Sequence, residues 1–142
     1  MQDIKNLLPH REPFLFVDRL EKYDAEEIIG YRRFKEEEFF FPGHFPGYPV
    51  VPGVILVETM AQCGGAGIAA QGLLQNAIFL LASVEKAKFR QQVRPGDEVK
   101  IVVKNLKVSK IALKQAGQMF LGDKLAAEAE WLCMVSQSEL PK

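Results

Sequence analysis

The chain has 142 residues, 48% of them hydrophobic, and carries 18 basic against 18 acidic side chains. That length suits one domain with a real core, expected to span residues 1–142, and the balanced charge argues against a nucleic-acid binder, which would show a basic excess. Cys63 and Cys133 stand in no CxxC spacing, the opening MQDIKNLLPHREPF lacks the apolar centre of a signal peptide, and no uninterrupted apolar run reaches a membrane span of about 18 residues. These features argue against a disulfide scaffold, a cysteine-rich zinc site and membrane insertion, and they lead to the expectation of a cytoplasmic protein with two buried, reduced thiols.

Residues 3 to 8 predict one short helical turn, stopped before Pro9. FLFVDRL, Phe14 to Leu20, predicts a first strand, and EIIGYRRF, Glu27 to Phe34, a second in which Gly30 weakens the strand or marks a bulge. The acidic tract Glu36-Glu37-Glu38 predicts a solvated loop. Between Pro42 and Gly53 lie four prolines (42, 46, 49, 52) and three glycines (43, 47, 53). Such a segment forms neither helix nor interior strand, and its fixed φ angles make it stiff. VILVETMAQCGGAGIAAQGLL, Val54 to Leu74, is apolar on almost all sides and predicts a helix buried on most faces. Gly64, Gly65 and Gly67 within it mark either close packing of another backbone or a break.

Residues 78 to 90 begin a strand-rich second half. Arg94-Pro95-Gly96-Asp97 is a turn, Val99 to Val108 a strand, and Ile111 to Phe120 and Leu125 to Val135 two more, joined at Gly122-Asp123-Lys124. AAEAEWLCMV is compatible with helix by composition, but the Gly-Asp turn favours a hairpin. One long buried helix and six mostly antiparallel strands point to a curved sheet wrapping a central helix.

His44 in the stiff loop and Glu58 in the helix, fourteen residues on, supply one candidate base and one candidate acid on rigid supports. An imidazole, with an ordinary pKa of about 6.5, suits a base at neutral pH. A carboxyl donates a proton there when burial favours its neutral form. That pairing is the minimum equipment for removing water from an activated hydroxyacyl group. Taken singly, a loop histidine is usually structural or solvated, and a buried glutamate is often explained by an ion pair. His10, the other histidine, is expected to be structural, and Asp18 to cap or pair locally. A metal site would need more ligands than His44, Glu58 and scattered residues supply, and no cofactor is expected.

LLPHREPFLFVDRL, FFPGHFPGYPVVPGVILVETMAQ and VEKAKFRQQVRPGDEV, in that order, resemble the 3-hydroxyacyl-(acyl-carrier-protein) dehydratases of bacterial fatty-acid synthesis, the FabZ type, over nearly the whole chain. The HFPGxPxxPGxxxxE core is specific, because punctuating and ionisable residues must coincide. The resemblance implies an α+β hotdog fold, a curved antiparallel sheet wrapped around one long central helix. It implies a hydro-lyase that dehydrates 3-hydroxyacyl-ACP to trans-2-enoyl-ACP in fatty-acid elongation, with His44 as base and Glu58 as acid. It further implies that the backbone N–H of Gly53 binds the thioester carbonyl, that the carbonyl of Val50 orients the histidine, and that Gln62, one turn beyond Glu58, positions the carboxylate. Gly53 at a helix start suits that role, since the first N–H groups have no internal partner and the dipole there is positive.

The resemblance also implies a homodimer with shared active sites, His44 of one chain meeting Glu58 of the other, and a hexamer built as a trimer of dimers. Phe45, Tyr48, Ile55 and Phe89 are candidates for an acyl tunnel, with core packing as the plainer role for each. Lys86, Lys88, Arg90 and Arg94 are candidates for docking an acidic acyl carrier protein, with a solvated strand face explaining them about as well. Glu12 and Pro42 depart from the family's usual residues without touching the chemistry. Glu58, where the related FabA-type dehydratase–isomerase has aspartate, favours the plain dehydratase. A side-pathway dehydratase, a thioesterase and a non-catalytic acyl-thioester-binding hotdog protein are the other readings.

Overall fold

The structure, a computed structural model, describes residues 3–74 and 76–136. Its elements are α1 (Ile4–Leu7), β1 (Arg19–Tyr23), β2 (Glu27–Arg33), a 3₁₀ turn at Phe41–Gly43, α2 (Gly53–Ala70), β3 (Ile78–Phe89), β4 (Glu98–Val108), β5 (Ala112–Leu121) and β6 (Lys124–Ser136). The six strands form one antiparallel sheet in the order β1-β2-β4-β5-β6-β3, with α2 packed across its concave face.

Alternation of side chains decides which face is concave. On β4 the buried positions are Val99, Ile101 and Val103; on β5 Leu113, Gln115, Gly117 and Met119; on β6, after buried Ala126, they are Ala127, Ala129, Trp131 and Cys133. Each set is spaced by two, so each lines one face of the pleat. Against them α2 turns Ile55, Leu56, Met60, Cys63 and Ile68. Burial of a large apolar side chain of this kind stabilises by about 1.5–3 kcal/mol. By length and composition α2 is apolar enough to cross a membrane, but 67% of it lies buried inside the protein, as a core helix requires.

The glycines of α2 do not interrupt it. A Cβ on Gly67 would lie 2.5 Å from three carbons of Ile28 on β2, and one on Gly64 would overlap the side-chain amide of Gln115 on β5. That amide is a buried hub. Its Oε1 accepts from Trp131 Nε1 at 3.2 Å, and its Nε2 donates to Gly64 O at 3.3 Å and to Asn105 Oδ1 at 2.8 Å. Close approach of the sheet, not a break, is what the glycine stretch provides.

The first strand differs from expectation. Leu15, Phe16 and Val17 are buried, but the ladder starts only at Arg19. The backbone of the apolar run is satisfied by a side chain instead of a strand: Phe16 N–H donates to Gln62 Oε1 at 2.8 Å, and Phe14 O accepts from Gln62 Nε2 at 3.1 Å. The irregularity between β1 and β2 lies opposite Gly30, between Leu20 and Lys22. Gly30 itself stays in register and admits Cys63 Sγ, which would be 2.7 Å from a Cβ there.

Glu38 is not solvated as its neighbours Glu36 and Glu37 are. Its carboxylate pairs with the guanidinium of Arg32, which is 7% exposed and bonds Asp18 Oδ1 at 3.0 Å on its other side. Glu38 Oε2 also accepts Lys35 N–H at 2.9 Å, and Asp18 Oδ2 accepts Arg33 N–H at 2.7 Å. The knot ties the end of β2 to the entrance of β1 and to the segment that leads into the proline-rich loop.

Burial pushes the Cys63 thiol up to about 12, and burial together with the nearby Glu58 pushes that of Cys133 up to about 11. Both are protonated at pH 8, and the thiolate is the nucleophile. Alkylation with iodoacetamide at pH 8 is expected to leave both unmodified in the folded protein and to modify both in denaturant; mass spectrometry of the intact chain checks this.

Candidate active site

The proline-rich loop holds His44 by backbone bonds on both sides. His44 N–H donates to Phe41 O at 3.3 Å, and His44 O accepts Val50 N–H at 2.9 Å. Phe45 and Tyr48 exchange two bonds of 2.9 and 2.8 Å, closing the turn between them. The imidazole Nδ1 lies 3.0 Å from Val50 O, and the ring stacks on Phe45 with centroids 4.1 Å apart. A carbonyl oxygen can only accept, so Nδ1 carries the ring hydrogen in the neutral form. Nε2 is left with its lone pair free, as a proton acceptor needs.

Glu58 lies on the one open stripe of α2. Val54, 76% exposed, precedes it by one turn, and half-buried Ala61 follows it. Gln62 Nε2 donates to Glu58 Oε2 at 2.9 Å while the rest of the same amide is bonded to Phe14 and Phe16. The amide therefore cannot swing away, and the carboxylate is anchored through one oxygen.

His10, expected to be structural, approaches this carboxylate. Its Nε2 lies 3.6 Å from Glu58 Oε2. The contact joins residues 48 apart in the chain, and the LPHREPF segment that brings it across α2 shows no periodicity announcing the approach. Burial holds the His10 pKa below its ordinary value, against the raising pull of the Glu58 carboxylate and with a smaller lowering by Arg11.

Gly53 opens α2 after Pro52, so its N–H has no acceptor within the helix. The ring of Phe89 covers this position, with a Cβ on Gly53 meeting three ring carbons at 3.0–3.2 Å. A cleft of about 280 Å³ lies beside them, lined by Val50, Gly53, Leu56, Phe89, Gln92 and Val93. Of the tunnel candidates, Phe89 borders this cleft and is 51% exposed, as are Phe45 at 52% and Tyr48 at 46%, whereas Ile55 is in the core at 7%. Tyr48 bonds Gln92 at 2.8 Å and lies 4.4 Å beneath the guanidinium of Arg94.

The cationic candidates divide. Lys86 pairs with Glu130 at 3.3 Å and Arg90 with Glu128 at 2.8 Å. Their charge is partly neutralised on the sheet surface, while the side chains of Lys88 and Arg94 form no ion pair among the described residues. No hydrogen bond or ion pair joins His44 to Glu58 within the chain. Histidine with Val50, and glutamate with Gln62 and His10, form two separate clusters within the chain.

Residues 8–130 match the model of the FabA-like domain family. The 3-hydroxyacyl-(acyl-carrier-protein) dehydratase FabZ of Desulforamulus reducens is 44% identical over 135 residues, covering 94% of this chain and 95% of the relative. The protein of the same name from Clostridium kluyveri is 40% identical over 136 residues, covering 95% and 94%. Among solved structures, the dehydratase heterocomplex ApeI:P of Xenorhabdus doucetiae superposes with a TM-score of 0.82 at 13% identity, covering 96% of this chain and 92% of that one. A hypothetical thioesterase from Streptococcus pneumoniae superposes with a TM-score of 0.62 at 9% identity, covering 86% and 88%. At such identities the structural likeness speaks for the hotdog fold alone, dehydratases and thioesterases sharing it. The sequence relatives go further, and by them the chain belongs to the FabZ-type 3-hydroxyacyl-(acyl-carrier-protein) dehydratases, hydro-lyases within the FabA-like domain family.

Proposed function

We propose that the chain, as a single catalytic domain, dehydrates 3-hydroxyacyl-ACP to trans-2-enoyl-ACP, with His44 as general base and Glu58 as general acid. The observation that carries the reading is the 3.0 Å approach of His44 Nδ1 to Val50 O, which leaves Nε2 basic. Nε2 takes the proton from C2 of the acyl chain. The electron pair moves toward the thioester carbonyl, where the Gly53 N–H and the positive end of α2 stabilise the developing oxyanion. Glu58 then delivers a proton to the C3 hydroxyl, the C3–O bond breaks, and water leaves as the C2–C3 double bond forms. Gln62 holds the carboxylate at 2.9 Å throughout.

The same reading places His44 of one subunit opposite Glu58 of another. Edge strand β3 supports it. This strand has twelve residues, of which the last ten are exposed. Leu80, Leu81, Val84 and Phe89 on it are 40–55% exposed. A long apolar edge with free backbone groups pairs readily with another chain. A second copy laid along β3 covers this edge and the Val54–Glu58 stripe together, and three such dimers make the hexamer. A cytoplasmic place of work goes with a carrier-bound substrate, and Phe45, Tyr48 and Phe89 at the loop and cleft are placed to meet its acyl end.

A panel of 3-hydroxyacyl-ACP substrates of increasing chain length, with products resolved by double-bond position, tests the reaction. Trans-2-enoyl product is expected. No turnover of any member in either direction rejects the proposal, and a cis-3-enoyl product assigns the chain to the dehydratase–isomerase class instead.

A further inference from the structure

Resting on the dehydratase reading, we propose that His10 is a positioning residue for the acid: its Nε2–H holds Glu58 Oε2, so that Oε1 is the oxygen presenting the transferable proton.

Four observations carry this. First, His10 Nε2 and Gln62 Nε2 converge on one oxygen, Oε2, from 3.6 and 2.9 Å, while Oε1 accepts no hydrogen bond among the described residues. A distance of 3.6 Å exceeds a formed hydrogen bond, but catalytic hydrogen bonds are often long without substrate and tighten when it binds. Second, His10 Nδ1 is buried and has no partner. A hydrogen on Nδ1 would be a buried unpaired donor, and the Nε2 lone pair would then face a carboxylate oxygen. A hydrogen on Nε2 removes both penalties, leaving a single unpaired acceptor. Third, a doubly protonated ring would again place a hydrogen on Nδ1 with nothing to accept it. Burial, with a smaller contribution from Arg11 of its own loop, also holds the ring's pKa below its ordinary value against the raising pull of the Glu58 carboxylate from α2. Fourth, the loop is built to hold the ring in place. The Arg11 guanidinium bonds Leu8 O at 2.8 Å, His10 O at 2.7 Å and Lys5 O at 3.1 Å.

The consequence for the reaction is a division of labour between the two oxygens. Oε1 gives its proton to the leaving hydroxyl. Two N–H donors on Oε2 meet the negative charge that remains, and His10 keeps its own hydrogen throughout. The ring is a fixed dipole and transfers no proton.

Two substitutions and one spectrum test this. His10→Met keeps the bulk and removes the donor; its kcat is expected to fall about tenfold to a hundredfold, the worth of a hydrogen bond to a charged group. KM is expected to stay within roughly threefold, since the ring does not touch substrate. His10→Gln, whose amide nitrogen reaches the same place without titrating, is expected to recover most of the loss. Wild-type kcat in His10→Met, or a His10→Gln variant as slow as His10→Met, overturns the proposal. Glu58→Gln measured alongside separates the two readings. If it is inactive while His10→Met is fully active, only the His10 role falls; if it is active, the acid assignment falls and takes the His10 role with it. Should His10→Met fail to fold, ¹⁵N NMR of the histidine ring in the wild-type protein decides: the Nε2–H tautomer is expected, and an Nδ1–H tautomer overturns the proposal.

Discussion

Replacement of His44 by alanine is expected to lower kcat by roughly 10²–10⁴-fold, the usual worth of a positioned general base. Glu58→Gln is expected to do the same, because an amide cannot deliver the proton to the leaving hydroxyl. Neither change should cost much stability. His44 is half-buried in a loop closed by backbone bonds that survive the substitution, and Glu58 is half-buried on the open stripe of α2. Glutamine at 58 also keeps an oxygen for Gln62 to bond. The informative measurement is the mixture. The chain joins His44 to Glu58 by no hydrogen bond or ion pair, and on the proposed shared site each mutant retains the group the other lacks. After subunit exchange, half of the dimers are mixed and each carries one intact site of two, giving about a quarter of wild-type activity for a two-fold dimer. Absence of recovery, with exchange demonstrated by mass spectrometry, would place both groups in one chain's own site and remove the shared-site reading.

The second large effect lies outside the chemistry. Arg32→Met is expected to destabilise the fold by about 3–5 kcal/mol, the cost of removing one partner from a buried ion pair. Arg32 is 7% exposed and the Glu38 side chain 9% exposed, and the substitution leaves that carboxylate, among the described residues, with only the Lys35 N–H at 2.9 Å. It also frees Asp18, but Asp18 is 39% exposed at its side chain and can be hydrated. The penalty should therefore sit mainly on Glu38. Adding Glu38→Gln to Arg32→Met is expected to recover a large part of the loss, since a neutral amide tolerates burial better. Urea unfolding of the single and double variants measures both quantities. A loss below about 1 kcal/mol, or one that the double variant does not reduce, would show the pair to be no more than a surface contact. Because the knot anchors the segment entering the proline-rich loop, a weakened Arg32 variant is also the place to look for a looser His44.

The punctuating residues were the most legible part of the chain. Prolines 42, 46, 49 and 52 confine their own backbone wherever the chain folds, so a stiff loop followed by a helix was readable without coordinates. The helix was as readable, because an apolar surface on all sides has no use except burial. The turn at Gly122-Asp123 decided rightly for strand at β6 over an alanine-rich composition. FLFVDRL was misread because apolar, β-favouring residues report burial, not the partner of the backbone; here that partner was a glutamine 46 residues away. Glu38 was misread for a similar reason, since an acidic run looks solvated until an arginine is folded beneath one member.

What the sequence determined by itself is local: which segments bend, which stay rigid, which faces are apolar, and that one imidazole and one carboxyl stand on rigid supports. Those follow from dihedral limits and side-chain period, which act over a few residues. The tertiary structure alone decided which of the two histidines faces the carboxyl of Glu58 within one chain, and it is His10, at 3.6 Å, while His44 faces Val50. It alone decided that one oxygen of that carboxyl is held and the other free, and that β3 is left as an uncovered apolar edge. Each of these depends on strand order and on loops crossing α2 from far along the chain, and burial energy constrains such pairings only as a whole.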